Sequence, residues 1–359
     1  MKARPNKRSP LHAKEDFPID VLGSGAVLLG PKVTCDGFQV DRKIRVQTHV
    51  HTDHMADFTT SLRGELVMTK PTMRLLEHDH PALPSRANIH LLEYGKEWES
   101  DGCRIQLFSS DHALGAAQVK VILKNGMSVG YSSDFNWPLK DIIKVNALVV
   151  DATYGNPSSR SRCKQGEAQE ALVDLVRKKL KHGPVHLMAN TGPIERALVV
   201  LAMSDVIAGV SVIGNRRMCW YADVNQEYRQ PIPKILCDDS KEALAAMRAG
   251  HYVRVWGLNS PLPNDGFYEG TAIRLTKYRT TREPVEPTGK DVFTVGFSNH
   301  ADFGGTVEYV RATGATFVVT DNHRGQVGGR AEQLARVLRT QLRIRARVSS
   351  NLESREWGH

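Results

Sequence analysis

Between Thr48 and His54 the chain reads Thr-His-Val-His-Thr-Asp-His, so three imidazoles and a carboxylate crowd into six positions, 49 to 54. The run Lys43-Ile44-Arg45-Val46-Gln47 just before it reads as a short strand. Side chains two apart on an extended backbone point the same way. His49 and His51 can therefore face one ion, while Asp53 and His54, on the turn that follows, face another. Two neighbouring metal sites are the natural reading of donors at this spacing. A chain built around them has to bring further donors to the same place.

Catalytic zinc sites take three protein ligands and keep a position for water, and the sequence supplies candidates downstream. His112 lies in Ser109-Ser110-Asp111-His112-Ala113-Leu114-Gly115, after the apolar-rich stretch from Cys103 to Phe108. Asp134 lies in Gly130-Tyr131-Ser132-Ser133-Asp134-Phe135, where an extended segment from Gly126 to Tyr131 runs out. Each candidate sits at a strand end, where α/β folds place loops that carry chemistry on a rigid frame.

This order of motifs resembles the metallo-β-lactamase superfamily. The resemblance implies an α/β fold, a four-layer αβ/βα sandwich with two divalent metal ions at its edge, zinc expected and manganese also compatible. It implies that His49, His51 and His112 hold the first ion, that Asp53 and His54 hold the second, and that Asp134 bridges both. Asp36, in Thr34-Cys35-Asp36-Gly37-Phe38, matches a buried residue of the family that orients ligands. Three further motifs narrow the resemblance: Val149-Val150-Asp151-Ala152-Thr153-Tyr154, Phe297-Ser298-Asn299-His300-Ala301-Asp302, and Val319-Thr320-Asp321-Asn322-His323-Arg324. Together they look like the β-CASP branch, the metal-dependent nucleases of DNA and RNA, which carry a smaller inserted α/β domain. By that resemblance Asp53, Asp151 and His300 are catalytic, with Asp151 orienting His300 as the acid that protonates the leaving oxygen. His323 becomes a ligand of the second metal, and Thr191, Gly192 and Ser298 bind a terminal phosphate.

Within the branch, Asp151-Ala152-Thr153-Tyr154 and Thr34-Cys35-Asp36-Gly37-Phe38 are similar to DNA cross-link-repair nucleases. Ser298-Asn299-His300-Ala301-Asp302 and His323 are closer to RNA-acting members such as ribonuclease J, and ligase-associated bacterial exonucleases mix the two patterns. The expectation is a 5′-exonuclease of DNA repair that prefers single-stranded DNA. An RNA-processing endo- or 5′-exoribonuclease is the alternative, and a small-molecule metallo-hydrolase or an inactive scaffold subunit are the rivals. Oligomeric state is left open.

The rest of the chain agrees with a polyanion substrate: its 359 residues carry a formal charge of +9. No stretch approaches the roughly 20 apolar residues of a membrane span, and the start lacks an apolar signal region, so a cytoplasmic protein with no membrane partner is expected. Five cysteines, none spaced as CxxC, read as free thiols. The expected organisation is a flexible basic arm over 1–16, the first part of the metallo-β-lactamase domain over 17–183, an inserted β-CASP domain over 184–290, and the rest of the first domain over 291–359. Inside the insertion, Asn190-Thr191-Gly192-Pro193 reads as a turn before a helix from Ile194 to Ser204, and 279–290 as a returning linker. Gly166 to His182 reads as an amphipathic helix. Arg196, Arg216 and Arg217 are candidate phosphate contacts.

Overall fold

The computed structural model describes residues 17–59, 64–258, 266–267, 269–276, 282–324 and 329–350. The basic arm over 1–16, the linker positions 279–281 and the end of the chain from 351 lie outside them. The first sheet runs in sequence order: β1 (Ile19–Val21), β2 (Val27–Leu29), β3 (Val33–Cys35), β4 (Ile44–Val46), β5 (Glu65–Met68) and, after helix α1 (Lys70–Leu76), β6 (Ile89–Leu91). The second sheet begins with β7 (Glu97–Ser100), β8 (Cys103–Ser109), β9 (Ala117–Ile122), β10 (Ser128–Tyr131) and β11 (Ala147–Val150). These strands form where β-branched and aliphatic residues dominate and turn residues bound each run. β11 is buried along its whole length, as expected of a parallel strand covered on both faces.

After α2 (Gln165–Leu180) the chain builds a third sheet. It comprises β12 (Val185–Met188), α3 (Thr191–Met203), β13 (Ser211–Gly214), α4 (Arg216–Glu227), β14 (Ile235–Cys237), α5 (Lys241–Ala249), β15 (Tyr252–Trp256), β16 (Thr271–Thr276), β17 (Val285–Gly289) and β18 (Val292–Gly296). Its strand order is β14-β13-β15-β12-β16-β18-β17, parallel except at the β17–β18 edge. The chain then returns through α6 (Phe303–Thr313), β19 (Phe317–Thr320), α7 (Arg330–Gln341) and β20 (Arg345–Val348), which complete the second sheet beside β11.

The first two sheets pack face to face through Val21, Leu29, Val46, Ile105, Val119 and Val149. Helices α6 and α7 cover the outer face of the second sheet through Leu148, Tyr309, Leu334 and Leu338, and α1 covers the first through Leu66, Met68 and Leu75. This is the αβ/βα sandwich of the expected fold class. The third sheet has its own core, with α2 and α3 on one face (Leu172, Val176, Leu187, Leu198, Val253) and α5 on the other (Ala243, Tyr252). It meets the sandwich through α4, whose Tyr221 and Val224 join the cluster around α1 and whose Trp220 Nε1 donates to the Arg74 carbonyl at 3.2 Å.

Two expected segments differ. Asn190 is the N-cap of α3, which starts at Thr191, so Thr191-Gly192-Pro193 is a first helical turn; Pro is tolerated there because those amides lack intrahelical partners. Of the linker expected over 279–290, the described part from 282 instead contributes the strand β17 to the third sheet, and β18 follows it directly in the same sheet. Pro287 misleads a reading of the segment as coil, yet an edge strand can carry proline because one side of its backbone has no partner. The sheet therefore continues past the expected boundary at 290. Among the described residues no helix is long and apolar enough to cross a membrane, and all five cysteines are free thiols.

Candidate metal centre

Five loops bring the chemistry together, and each leaves the carboxyl end of a strand: β4 delivers His49 to His54, β8 delivers His112, β10 Asp134, β11 Asp151 and β18 His300; the loop after β19 carries His323. Backbone turns aim the side chains inward. Asp36, Asp111 and Ser133 all take positive φ, at 53°, 50° and 53°, a left-handed conformation that short polar residues tolerate. Asp111 and Ser133 immediately precede His112 and Asp134, so each of those two residues follows a left-handed turn.

Asp134 is the point of convergence. Its carboxylate stands 3.7 Å from His49 Nε2, 3.5 Å from His112 Nε2, 3.3 Å from His54 Nε2 and 3.7 Å from His300 Nε2. His51 Nδ1 lies 3.0 Å from His112 Nε2, and Asp53 Oδ2 lies 3.6 Å from His54 Nε2. Donor atoms of His49, His51, His112 and Asp134 lie within 4.8 Å of one another, as do those of Asp53, His54 and Asp134, and those of Asp134, Asp151 and His300. His323 joins none of these groups among the described residues. It packs against Gly25, where an added Cβ would come within 2.8 Å of its ring, so its expected place among the ligands is not reproduced. The neighbouring Arg324 lies closer to the site: it pairs with Asp321 at 2.9 Å and donates to the carbonyls of Gly25 and Asp53.

Hydrogen bonds behind the rings decide which nitrogen each presents. Asp36 is fully buried; its Oδ1 accepts from the Thr48 amide at 2.8 Å and its Oδ2 from Thr48 Oγ1 at 2.6 Å and from His54 Nδ1 at 2.7 Å. Because the Thr48 hydroxyl gives its proton to Asp36, it can only accept from His49 Nδ1 at 3.0 Å. His112 Nδ1 donates to the Asn299 carbonyl at 3.0 Å. All three rings thus turn Nε2 toward Asp134, and at His49 and His112, which burial keeps neutral, that nitrogen offers a lone pair. Thr48, Ser133 and Asn299 were passed over in the sequence, although Thr48 and Asn299 each sit directly beside a motif histidine; Ser133, whose Oγ donates to Thr48 at 2.8 Å, carries no sequence signal for its left-handed turn.

The electrostatics follow from burial and from Asp134. Burial pushes His49 and His112 well below the ordinary histidine range, and brings His51 down to about 4. At His54 burial and Arg324 oppose the charged form, but Asp134 and Asp36 outweigh them and lift it to about 10. At His300 burial is likewise outweighed, by Asp134 and by the Asp151 carboxylate 3.2 Å from Nδ1, and the ring rises to about 9. Burial opposes ionisation of Asp134, yet His54 and His300 hold its carboxyl well below the usual range.

A cleft of about 650 Å³ opens over this cluster, between the sandwich and the third sheet. Its walls include His51, Asp53, Asp134, His300, Ser298, Arg217 and the first turn of α3 at Thr191 and Gly192. Gly192 approaches the cluster closely: a Cβ there would overlap Asn299 Nδ2 and stand 3.0 Å from His51 Cε1. Ser298 is buried, and its Oγ accepts from the His300 amide at 3.1 Å. Arg216 pairs with Asp239 at 2.6 Å and lines neither this cleft nor the smaller hollow beside it.

No protein-family model matches the chain. A "DNA cross-link repair protein SNM1" of Arabidopsis thaliana is 24% identical over 319 residues, covering 82% of this chain and 64% of that protein. A human "DNA cross-link repair 1A protein" is 24% identical over 166 residues, 45% of this chain and 16% of its own length. An Acidianus ambivalens protein described only as uncharacterized, "in lig 3'region", is 37% identical over 125 residues, which cover 34% of this chain and 89% of it. The chain belongs to the β-CASP branch of the metallo-β-lactamase superfamily. It spans under two thirds of the plant protein and a small part of the human one. A solved Enterococcus faecalis V583 protein of unknown function, 11% identical, superposes with a TM-score of 0.58 over 86% of this chain and 80% of its own, a likeness of fold.

The residues of this β-CASP chain fit the divalent ions of the family. His49 Nε2, His54 Nε2 and Asp134 Oδ1 are buried without a hydrogen-bond partner; the last two are 3.3 Å apart but off the line that a hydrogen bond requires. Two imidazole nitrogens and a carboxylate oxygen with no protein partner fit a cation site, because leaving them bare costs desolvation with no return. Asp36→Ala should destabilise the protein by about 2–6 kcal/mol, since it strands the buried Thr48 amide and His54 Nδ1. Denaturant melts of the metal-free proteins check this, and a change below about 0.5 kcal/mol would mean that these bonds contribute nothing.

Proposed function

We infer that this protein is a metal-dependent phosphodiesterase acting on DNA, most active as a 5′-exonuclease on single strands. The observation that carries the reading is the convergence of the His49–His51–His112–Asp134 and Asp53–His54–Asp134 groups with the His300–Asp151 pair at the floor of a cleft walled by a helix N-terminus. The named relatives from Arabidopsis and human, both DNA cross-link repair proteins, support DNA as the polymer.

On this reading His49, His51 and His112 hold one ion and Asp53 and His54 the other, with Asp134 shared and zinc or manganese the expected metal. Such ions supply a water ionisable near neutral pH and neutralise charge on the phosphate. His54 is held by Asp36, so its Nε2 cannot turn from the cleft. Asp53, whose side chain is 60% exposed, closes its group from the solvent side and leaves it open to a substrate. His300 carries the proton that the leaving oxygen needs: Asp151 keeps the ring charged through Nδ1, while the Ser298 hydroxyl holds its backbone in register. The free amides of Thr191 and Gly192, at the positive end of α3, take a terminal phosphate. That capture places the first phosphodiester over the metals, which is why an exonuclease is the preferred mode.

Replacing Asp134 with Ala should abolish hydrolysis and reduce bound metal toward one ion or none, because two cations would stand close together without a shared anion. Metal analysis of the purified variant checks it; full occupancy with normal turnover is the result that sinks the assignment.

His300→Ala should keep its metal while turnover falls by roughly 10²- to 10⁴-fold, the usual contribution of a general acid. Loss of metal together with activity would make His300 a ligand, a result its position 3.7 Å from Asp134 makes worth testing.

A third experiment tests the substrate. Single-stranded DNA with a 5′-phosphate should be degraded faster than the same strand with a 5′-hydroxyl, and faster than RNA, because the α3 amides would otherwise lose a charged acceptor. Equal rates on both ends argue for an endonuclease, and a preference for RNA moves the protein to the RNA-processing members of its branch.

A further inference from the structure

A second hollow, of about 410 Å³, lies in the same seam on the other side of α3. It is bounded by the sandwich at Tyr94 and Asp111, by α2 at Gln169, and by α3 at Gly192, Arg196 and Met203. Gly192 is the one residue whose atoms line both hollows, so the two spaces are separated by little more than the first turn of α3. The volume falls in the range of small-ligand sites.

The side chains there are not those of an idle crevice. Tyr94 anchors its hydroxyl on the Ala116 carbonyl at 2.9 Å and leaves its residue 42% exposed, which fixes an aromatic ring at the rim. Met203 is 71% exposed, at the end of the same face of the hollow. Arg196 has a buried Nε with no hydrogen-bond partner, and its nearest carboxylate, Asp111, is 4.0 Å away. Asp111 is already held by Asn136 Nδ2 at 2.9 Å. The remaining acid, Glu195, is engaged by the Asn225 side chain and the Leu114 backbone. A guanidinium with an unpartnered Nε and only a 4.0 Å contact to a carboxylate, beside a fixed aromatic ring and an exposed thioether, suits one phosphate and one flat base.

We propose that this hollow is a nucleotide subsite: Arg196 receives a phosphate and Tyr94 stacks a base of the nucleotide adjoining the one held over the metals. The proposal rests on the nuclease reading, and deepens it by giving the polymer a defined path on both sides of α3. Stacking on an aromatic ring contributes about 1–3 kcal/mol per base without regard to sequence, so the subsite favours a single strand over a paired one.

The test is equilibrium binding of a fluorescent 5′-phosphorylated single-stranded DNA to the full chain without added metal, read by anisotropy over a range of salt. Arg196→Ala should weaken binding about tenfold and lower the salt slope by about 0.7, the share of one phosphate on a single strand. Gln169→Trp, which fills the hollow without removing charge, should weaken binding and leave the slope unchanged. Arg216→Ala removes the same charge outside both hollows and should cost less than Arg196→Ala. Binding equal to wild type in both the Arg196 and Gln169 variants, or equal losses from Arg196→Ala and Arg216→Ala, overturns the subsite. If those results accompany normal DNA cleavage by the wild type, the nuclease reading stands and the subsite alone falls; a wild type that neither binds nor cleaves DNA removes both.

Discussion

One buried carboxylate organises this protein. Asp134 is almost inaccessible, yet it faces the nitrogens of four histidines drawn from three loops. A bare anion in that position would be costly, and His54 and His300, held charged beside it, offset part of that cost. The arrangement persists because a second layer holds each ring from behind: Asp36 on His54, Thr48 on His49, the Asn299 carbonyl on His112 and Asp151 on His300. Every hydrogen bond in that layer is made to the ring nitrogen turned away from Asp134. The result is a set of ring nitrogens aimed at one small volume, which is the preorganisation that a metal centre requires.

The two cores have different jobs. The sandwich supplies strand ends at fixed spacing, and its interior between the first two sheets is a closely packed apolar layer that leaves no freedom of register. The third sheet contributes little to the cluster itself beyond the strand that carries Ser298 and His300. What it adds is a wall: α3 points its first turn at the histidines, and the missing side chain of Gly192 lets the helix come that close. Docking through α4 and α1, where Arg74 pairs with Glu227 and its guanidinium lies over Trp220, holds the wall at that distance. A cleft formed between two separately packed cores can be wide enough for a polymer and still have a rigid floor.

Much of the centre was legible in the chain because its donors are local or punctuated. His49 to His54 need only the alternation of an extended backbone followed by a turn, and His112, Asp134, Asp151 and His300 each follow an apolar run that could be read as a strand. The outer layer was less visible. Ser133 and Asp111 adopt a left-handed backbone without being glycine, and Asn299 acts through its carbonyl, which no side-chain pattern announces. His323 is a separate case: a histidine at a strand end in the right order is expected to be a ligand, yet among the described residues it joins none of the groups around Asp134, and its ring packs against Gly25. The edge strand at 285–289 and the early start of α3 were misread for one reason, since proline and glycine mark turns by local preference and tertiary pairing overrides it.

The amino-acid sequence by itself determined which atoms are available and the order in which strand ends present them, because metal-ligand chemistry depends on residue type and short spacing. Tertiary structure alone decided which of those atoms meet. Asp36 and His54 are eighteen positions apart, His112 and Asn299 one hundred and eighty-seven, and His300 and Asp151 one hundred and forty-nine, and only the packing of three sheets brings each pair to hydrogen-bond distance. Distances of that kind are set by the burial of apolar faces far from the centre, a sum over many weak contacts that no single motif contains.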